Sequence, residues 1–494
     1  MPEGVLPARE SLGRFHRVTV MGLGRFGGGG GAARYFAGLG ARVTVTDLDG
    51  PEKLAASIAS LAEFDIRFVL GRHEREDFVQ TDLVIANQAV RPENEFLQAA
   101  RGAGVPVASE TGLALSLNRS PWIGVTGSAG KSTTSALIAA MLSAHDPRTL
   151  FGGNIGGDLL TRVENRPEDA PLVTELSSYQ LSHLAADFAA GRIAPPRAAA
   201  LTNLLPNHLD WHRDMEEYVE SKLSLVRRLP PDGWAVLNVD DPRIWNFAEK
   251  LAAGGPDPAA SPPPGIIRCA WRDAGGDNAC FVDGGELVLR LGQRRVFAFA
   301  LAKLPLPGRH NAMNAVLATA AAYAVCRNAD AASSGLAAFR GLPHRLEKVG
   351  TAKGITFVND SKATTPESAI FALAAINGPK ILLAGGYDKH SPFEALGAAI
   401  QQRADGLVLM GGAAARLRQA VLAAAAARPA TAGSLKMAAA GGDFDAAVLE
   451  AFRLAPAGGT VLLSPACASW GMFANYEERG QRFREIVERL GQTC

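Results

Sequence analysis

The chain alternates short runs of apolar residues with glycine-rich or polar turns. Residues 17–21 (RVTVM) and 42–46 (RVTVT) are the first two runs, and a helix is predicted between them from about residue 32 to residue 39. Apolar runs of this length, bounded by turn residues, are typical of strands buried on both faces of a parallel sheet. The order strand, turn, helix, strand therefore predicts an α/β fold built on parallel sheets.

The same pattern continues along the chain and indicates two further α/β units. One begins near Pro121, where a strand at 122–125 runs into a glycine-rich turn and a helix over about 131–142; the other begins near Pro343. Residues 252–285 are rich in Gly, Pro, Ala and Asp, which favours a surface loop or an insertion around short antiparallel strands. Further strands are predicted at 83–86, 106–108, 172–175, 198–201, 235–239, 356–359, 380–384, 406–410 and 460–464.

The length of 494 residues is enough for three domains of ordinary size. We place them at 1–117, a Rossmann-like domain; at 118–342, a central domain with a parallel sheet and a phosphate loop; and at 343–494, a second Rossmann-like domain. Lys and Arg number 50 against 49 Asp and Glu, which leaves a formal net charge of +1. This balance argues against the strongly basic field of a nucleic-acid-binding protein.

The spacing of the cysteines and the lengths of the apolar runs indicate the cellular compartment in which the protein is expected. The five cysteines are widely spaced and form no CxxC pair, which argues against a disulfide framework and against a zinc site. The N-terminal segment lacks the apolar stretch of a secretory signal, and no apolar run reaches the roughly 18 residues that cross a bilayer. We therefore expect a cytoplasmic protein that binds no membrane, and a monomer by default.

The stretch GVTGSAGKSTT follows the first predicted strand of the second unit. Gly127 and Gly130 allow backbone N–H groups to turn toward an anion, and the helix that follows adds the positive end of its dipole. Lys131 is expected to reach the terminal phosphates of a nucleotide, and the Ser132 hydroxyl is expected to bind Mg²⁺. The usual GxxxxGK[ST] pattern has glycine where this chain has Val125, so the loop is a variant. Kinases, ATPases, GTPases and ligases all carry such loops.

A second glycine-rich turn, GLGRFG at residues 22–27, follows the first strand, and Asp47 ends the second strand. This arrangement is typical of a dinucleotide-binding fold, and an NAD-dependent enzyme is one interpretation. A lone GxGxxG is not specific, however, because the same turn can cradle the diphosphate of a UDP sugar. In that interpretation Asp47 contacts the uracil.

Longer motifs that follow one another in a fixed order resemble those of the Mur ligase family. They are GGNIG at 152–156, ELSSYQ at 175–180, NLLPNHLD at 203–210, YVESK at 218–222, HNAMN at 310–314, LPHRLE at 342–347, NDSKAT at 359–364 and LSPACAS at 463–469. Each motif alone is weak, but together with the two glycine-rich turns they span nearly the whole chain in family order. The NDSKAT and SPACAS pair resembles the glutamate-adding branch of the family.

The resemblance implies an ATP-dependent acid–amino-acid ligase of peptidoglycan precursor synthesis. ATP would phosphorylate the carboxylate of UDP-N-acetylmuramoyl-L-alanine (UDP-MurNAc-L-Ala), and the amine of D-glutamate would then displace phosphate; L-glutamate or another amino acid is the alternative. Because two anions must approach each other, cations and basic side chains must neutralise them. The implied cofactors are ATP, two Mg²⁺ ions and a Lys222 carbamylated by CO₂. The glycine-rich turn at residues 22–27 would then hold UDP rather than NAD.

Two alternative functions are less well supported by the sequence. A folylpolyglutamate ligase would not need the UDP-binding domain expected at residues 1–117. A catalytically silent nucleotide-binding protein would not need Lys131, Glu175, His208 and Lys222 together.

The resemblance also assigns roles to individual residues, and each is an expectation at this point. The catalytic side chains would be Lys131, His208, Lys222 and Lys362. The metal ions would be held by Ser132, Glu175, His208 and Lys222. ATP would be bound by Gly127, Gly130, Lys131, Ser132, Thr133, Asn311, Asn314, Arg345 and Asp360, with the two asparagines at the adenine. The UDP substrate would be bound by Gly24, Asp47, Asn154, Ser177 and Gln180. Glutamate would be bound by Thr364, Lys389, Ser469 and Tyr476.

Three segments depart from the family pattern. NQAV at 87–90 stands where relatives usually carry Ser-Pro-Gly, so diphosphate contacts there do not carry over. Pro206 and Asn207 precede His208 where an acidic residue is common. Arg25 stands where small polar residues are often seen, and our hypothesis is that it pairs with a phosphate.

Overall fold

The structure is a computed structural model, and it describes residues 9–24, 29–155, 158–164, 166–208, 211–254, 263–306, 308–388, 391–426 and 435–492. The chain divides into two compact units. The first unit comprises residues 1–304 and 309–339, and the second comprises 305–308 and 340–494. The expected residues Arg25 and Lys389 lie outside the described part of the chain.

The first sheet of unit one has five strands in the order β3-β2-β1-β4-β5, and every pair is parallel. Strand β4 is buried along its whole length, as expected for a strand covered on both faces. A short 3₁₀ helix, Arg9–Arg14, precedes the sheet. The elements are β1 Arg17–Met21, α1 Gly30–Gly38, β2 Arg42–Asp47, α2 Pro51–Ala59, β3 Ile66–Leu70, α3 Arg75–Val79, β4 Leu83–Ala86, α4 Glu95–Gly102, β5 Val107–Ser109 and α5 Glu110–Leu117.

The second sheet of unit one has nine strands in the order β14-β13-β12-β11-β10-β9-β6-β8-β7. Strands β9, β6 and β8 are neighbours in this order and are buried at every position. They run parallel to one another, which places their carboxyl ends side by side at one edge. The elements are β6 Trp122–Thr126, α6 Lys131–His145, β7 Leu150–Gly153, α7 Leu159–Val163, β8 Leu172–Glu175, α8 Ser178–Ala189, β9 Ala198–Leu201, α9 Met215–Val226, β10 Trp234–Asn238, α10 Pro242–Ala252, β11 Gly265–Cys269, β12 Ala279–Asp283, β13 Glu286–Leu291, β14 Arg294–Ala300, α11 Arg309–Cys326 and α12 Ala329–Ala338.

Unit two is built on one six-stranded sheet in the order β15-β16-β20-β17-β18-β19, in which only the β15–β16 pair is antiparallel. Strands β17, β18 and β20 are fully buried. The elements are β15 Glu347–Ala352, β16 Ile355–Asn359, α13 Pro366–Ala375, β17 Lys380–Gly385, α14 Glu394–Arg403, β18 Gly406–Met410, α15 Ala414–Ala426, β19 Lys436–Ala439, α16 Phe444–Leu454, β20 Thr460–Leu463 and α17 Tyr476–Gln492.

The α/β class with predominantly parallel sheets agrees with the prediction from the apolar runs. The two sheets of unit one lie on either side of the boundary placed at residue 117, although the three domain boundaries themselves stay predictions. The expectation for residues 252–285 needs correction. Strand β11 continues the parallel sheet beside β10, and β12 pairs parallel with β11, so antiparallel pairing begins only between β12 and β13.

Every helix in the described part of the chain is either too short or too polar to cross a bilayer.

Candidate active site

The turn between β6 and α6 has the shape expected of a phosphate-binding loop. Gly127 and Gly130 adopt φ angles of +144° and +82°, which side-chain-bearing residues rarely adopt. A Cβ atom at Gly127 would overlap the hydroxyl of Thr202, and one at Gly130 would lie 2.5 Å from Oδ1 of Asn314. Both positions therefore require glycine, for the backbone conformation and for the lack of space for a side chain. Helix α6 begins directly after them, at Lys131.

Residues that follow β9 hold this loop in place. The Thr202 hydroxyl donates to the carbonyl oxygen of Ala129 at 2.6 Å, and the Ala129 N–H donates to Oδ1 of Asn203 at 2.9 Å. The Ser128 N–H donates to the Asn203 carbonyl oxygen, and the Ser128 hydroxyl lies 2.7 Å from that of Tyr218. The loop is thus preorganised by hydrogen bonds within the protein.

Lys222, on α9, reaches under the loop. Its side chain is 1% exposed, and its amine donates to the Gly127 carbonyl oxygen at 2.9 Å while lying 4.6 Å from the centre of the Tyr218 ring. Burial lowers the pKa of Lys222 well below 10.5, nearby Lys131 lowers it further, and Glu175 opposes the shift. A lowered pKa makes the unprotonated, nucleophilic form of this amine easier to reach than in an exposed lysine.

Glu175 ends β8 beside the same loop. Its carboxylate is 1% exposed; Oε1 accepts a hydrogen bond from the Asn154 amide at 2.9 Å, and Oε2 has no hydrogen-bond partner among the described residues. A buried, unpaired carboxylate oxygen is costly unless a cation or a donor meets it. The Ser132 side chain, on the first turn of α6, supplies a hydroxyl of the kind that binds Mg²⁺. These residues fit a hard divalent cation.

In the described ranges, no three His, Cys, Asp or Glu side chains converge on one point. A cation here would therefore depend on oxygen atoms of the nucleotide as well as on Glu175 and Ser132.

The loop that carries His208 runs beside α8. His208 is exposed and has a φ angle of +56°, an unusual backbone for a residue with a side chain. Its ring centre lies 4.8 Å from that of Tyr179, which also packs against Trp211 at 4.7 Å. His212 is buried behind this cluster, and burial lowers its pKa. Neither ring nitrogen of His212 has a hydrogen-bond partner in the described structure.

The first sheet provides a separate turn in the same unit. Asp47, at the end of β2, accepts from the Gly24 N–H through Oδ2 at 3.0 Å and from the Asp49 N–H through Oδ1 at 2.9 Å. The Ser57 hydroxyl donates to the Gly24 carbonyl oxygen at 2.9 Å. Both backbone groups of Gly24 are therefore fixed, and Asp47 shapes the turn that follows β1.

Unit two contributes a strained loop before β15. His344 and Leu346 adopt φ angles of +61° and +45° on either side of Arg345. The Arg345 side chain is half-buried and makes no hydrogen bond within the described part of the chain. Asp360 accepts from the Leu346 N–H at 3.1 Å and from the Ser464 hydroxyl at 2.8 Å. Burial raises the pKa of Asp360 to about 7, and these two hydrogen bonds oppose that shift.

The loops after β16 and β20 meet at a buried arginine of unit two. Arg479 donates from Nη2 to the Ser361 carbonyl oxygen at 2.8 Å and from Nη1 to the Cys467 carbonyl oxygen at 3.2 Å. The neighbouring Lys362 amine lies 5.5 Å from the centre of the Tyr476 ring. Arg479 thereby fixes both motif-bearing loops.

Comparison with known proteins agrees with these motifs. The family description "Mur ligase middle domain" matches residues 125–322, and "Mur ligase, glutamate ligase domain" matches residues 344–467. A protein of Symbiobacterium thermophilum named UDP-N-acetylmuramoylalanine–D-glutamate ligase is 38% identical over 96% of this chain and 98% of its own length. A protein of a Roseiflexus species, also named UDP-N-acetylmuramoylalanine–D-glutamate ligase, is 39% identical over 96% of this chain and 98% of its own length. The chain belongs to the Mur ligase family.

Solved structures share the fold at low identity. The MurF ligase of Thermotoga maritima in complex with ADP aligns with a TM-score of 0.52 and 17% identity over 92% of this chain and 95% of its own. The UDP-N-acetylmuramoylalanyl-D-glutamyl-2,6-diaminopimelate–D-alanyl-D-alanyl ligase of Acinetobacter baumannii aligns with a TM-score of 0.56 and 16% identity over 99% of both chains. Mur ligases form amide bonds at the expense of ATP, and this chain is such an enzyme.

In this Mur ligase, the phosphate loop, Lys131, Ser132, Glu175 and Lys222 lie together, as the motifs predicted. Asn311 and Asn314 are buried at the start of α11 and reach the same region. The Thr134 hydroxyl donates to Oδ1 of Asn314 at 3.3 Å. Their role at adenine stays a prediction, as do the other individual ligand contacts.

Two residues expected at the UDP substrate also have a local structural role. Ser177 caps α8: its hydroxyl oxygen accepts from the backbone N–H of Gln180 at 3.1 Å. In return, the side-chain oxygen Oε1 of Gln180 accepts from the backbone N–H of Ser177 at 2.9 Å. The Gln180 amide then donates to the Thr111 hydroxyl at 2.8 Å. Of the residues expected at glutamate, Ser469 is buried and Thr364 and Tyr476 are half-buried.

Sequence reasoning missed the residues that hold the loops. Thr202, His212 and Arg479 contribute through contacts with segments distant in sequence. Tyr218 had a usable signal, because it begins the YVESK motif, yet it was considered only as a marker for Lys222.

Proposed function

We propose that this Mur ligase joins D-glutamate to UDP-MurNAc-L-Ala. ATP transfers its γ-phosphoryl group to the alanyl carboxylate, the glutamate amine attacks the acyl carbon, and phosphate leaves as the amide forms. The observation that carries the proposal is the convergence of the phosphate loop, the buried Glu175 carboxylate and the buried Lys222 amine. The choice of substrate is supported by relatives of that name over nearly the whole chain.

The basic side chains of the protein are suited to neutralising the carboxylate and the phosphate that must approach each other in this reaction. Lys131 lies at the phosphate loop, and its charge would face the terminal phosphates of the nucleotide. The Arg345 guanidinium makes no hydrogen bond within the described part of the chain and is suited to bidentate contact with phosphate. Lys362 and His208 would each bind an anionic oxygen as the substrate carboxylate approaches the γ-phosphate.

Glu175, Ser132 and His208 would hold two Mg²⁺ ions, which neutralise phosphate charge when bound. We further propose that Lys222 carries a carbamate. The unprotonated amine attacks CO₂, a C–N bond forms as one C=O π bond opens, and the nitrogen loses a proton, so that the amine becomes an anionic carbamate. The carbamate would add a carboxylate-like group facing the same cations as Glu175.

The remaining assignments follow the same logic. Gly24 and Asp47 would form the UDP-binding turn, with Asn154, Ser177 and Gln180 toward the muramoyl end. Thr364, Lys389, Ser469 and Tyr476 would bind glutamate. We further propose the cytoplasm as the location and a monomer as the working state.

The deciding experiment measures phosphate release from ATP and Mg²⁺ with UDP-MurNAc-L-Ala and one of four amino acids: D-glutamate, L-glutamate, meso-diaminopimelate or L-lysine. Release with D-glutamate alone, with a product heavier by one glutamyl residue, is expected. Release with another amino acid would overturn the assigned specificity but keep the ligase chemistry. The absence of release with all four would overturn the proposed reaction.

A further inference from the structure

The segment NQAV at residues 87–90, which departs from the family pattern, begins at the glycine-rich turn of the first sheet. The Asn87 N–H donates to the Met21 carbonyl oxygen at 2.9 Å, and its side-chain amide donates to the Gly22 carbonyl oxygen at 3.1 Å. A Cβ atom at Gly22 would lie 2.8 Å from Cβ of Asn87. One end of the segment is therefore packed against the turn proposed to hold UDP.

The other end of the segment is fastened to the elements around the nine-stranded sheet. The Trp211 indole N–H donates to the Ala89 carbonyl oxygen at 3.0 Å, and Nε2 of His183 lies 2.7 Å from the Val90 carbonyl oxygen. Trp211 belongs to the aromatic cluster beside His208, and His183 lies on α8. The segment thus connects the UDP-binding turn with the surroundings of the reaction site.

Gln88 lies between these two attachments. Its side chain is half-buried, and its Oε1 lies 3.4 Å from the Ser177 hydroxyl, which has a shorter contact of 3.1 Å with Oε1 of Gln180. The amide nitrogen of Gln88 makes no hydrogen bond within the described part of the chain, so two N–H donors remain available. Ser177 is two residues beyond Glu175, which places these donors near the carboxyl end of β8.

We propose that Gln88 binds an amide or carboxylate oxygen of the acyl-bearing end of the UDP-linked substrate. The inference rests on the proposed function. A substrate whose diphosphate lies at the first turn and whose carboxylate lies near Glu175 must pass the 87–90 segment. A neutral amide supplies donors there without adding charge. A glutamate at the same position would present a second carboxylate beside Glu175 and repel the anionic substrate.

Two substitutions test this role. Gln88→Met keeps length and packing but removes both donors, and Gln88→Glu replaces them with a negative charge. We expect KM for UDP-MurNAc-L-Ala to rise about tenfold in Gln88→Met and more in Gln88→Glu, because hydrogen bonds to substrate typically contribute such factors. We expect kcat and KM for ATP and glutamate to stay within about threefold. Gln98→Met, at an exposed position of α4, is the matched control and leaves every constant unchanged.

The outcomes separate this inference from the proposed function. Unchanged KM for the UDP substrate in both Gln88 variants, measured against an active wild type, overturns the role of Gln88. An equal rise of all three KM values with a lower melting temperature indicates a structural role only and also overturns it. An inactive wild type would instead count against the proposed function, and direct binding of UDP-MurNAc-L-Ala to Gln88→Met, measured by calorimetry, would still test Gln88.

Discussion

The buried amine of Lys222 donates a hydrogen bond to the carbonyl oxygen of Gly127, 2.9 Å away, in the turn that is shaped to bind phosphate. This places an ionisable group of helix α9 in direct contact with the backbone of the nucleotide loop. Since Lys131 is near enough to lower the pKa of Lys222, two amines compete for the same region. Conversion of one amine to a carbamate would turn that repulsion into attraction.

Lys222→Arg is expected to lower kcat at least a hundredfold, because arginine keeps the charge but cannot form a carbamate. Activity of the wild type should fall in CO₂-depleted buffer and return when bicarbonate is added. Steady-state kinetics and intact-mass measurement under CO₂ check both statements. Lys250→Arg, at an exposed position of α10, is the control. Wild-type kcat in Lys222→Arg would disprove the carbamate.

Gly130→Ala is expected to weaken ATP binding severely. Alanine at φ +82° costs about 1–2 kcal/mol, and its Cβ would also press on the Asn314 amide at 2.5 Å. Gly191→Ala is the control, because Gly191 has a similar φ of +66° and open space around its Cβ position but lies outside the phosphate loop. Calorimetric titration with ATP should show a large loss of affinity for Gly130→Ala and none for Gly191→Ala. Equal affinities in the two variants would mean that glycine at position 130 is not required for ATP binding.

Glu175→Gln is expected to raise the Mg²⁺ concentration needed for half-maximal activity by about tenfold or more, because a neutral amide is a weaker ligand than a carboxylate. The fold should survive, since glutamine keeps the oxygen that accepts from Asn154. Mg²⁺ titrations of activity and thermal melts measure the two effects. The control is Glu249→Gln, an exposed residue of α10 that pairs with Arg268. An unaltered Mg²⁺ requirement in Glu175→Gln would remove it from the metal site.

Glu110→Gln is expected to flatten the pH dependence of stability. Burial, aided by Asp158, raises the pKa of Glu110 from 4.5 to about 8. Between these values the folded protein holds a proton that the unfolded chain has lost, so the wild type loses stability as pH rises through this window. Glutamine removes that loss, and the variant should gain melting temperature relative to wild type toward pH 8. The control Glu63→Gln, on an exposed turn, should show no such gain in melting temperature. A constant difference across the window would exclude Glu110 as the titrating group.

The interior strands were the most predictable part of the fold. Strands β4, β8, β9 and β18 match their predicted bounds residue for residue. Each is buried at every position, and all are apolar runs except β8, which ends in Thr174 and Glu175. The edge strands β3 and β19 were missed. Strand β3 mixes exposed with half-buried positions, and strand β19, KMAA, is rich in alanine. Neither sequence therefore carries a strong strand pattern.

The candidate site was predictable where local motifs carry the chemistry, as at Lys131 and Glu175. It was not predictable where distant segments meet. Thr202 supports Ala129 from 73 residues away, and Arg479 holds Ser361 from 118 residues away. Such pairs depend on how the sheets are ordered, which a single sequence pattern does not specify.

The position of β6 in its sheet has a consequence for synthesis on the ribosome. Its partners are β8 and β9, so the apolar strand WIGVT has no neighbour until residue 172 has been translated and only one until residue 198. The five-stranded sheet before it is complete at residue 109 and can close first. A pause in translation between residues 126 and 198 would therefore leave an unpaired apolar strand exposed, and we expect chains truncated in that interval to be captured by chaperones.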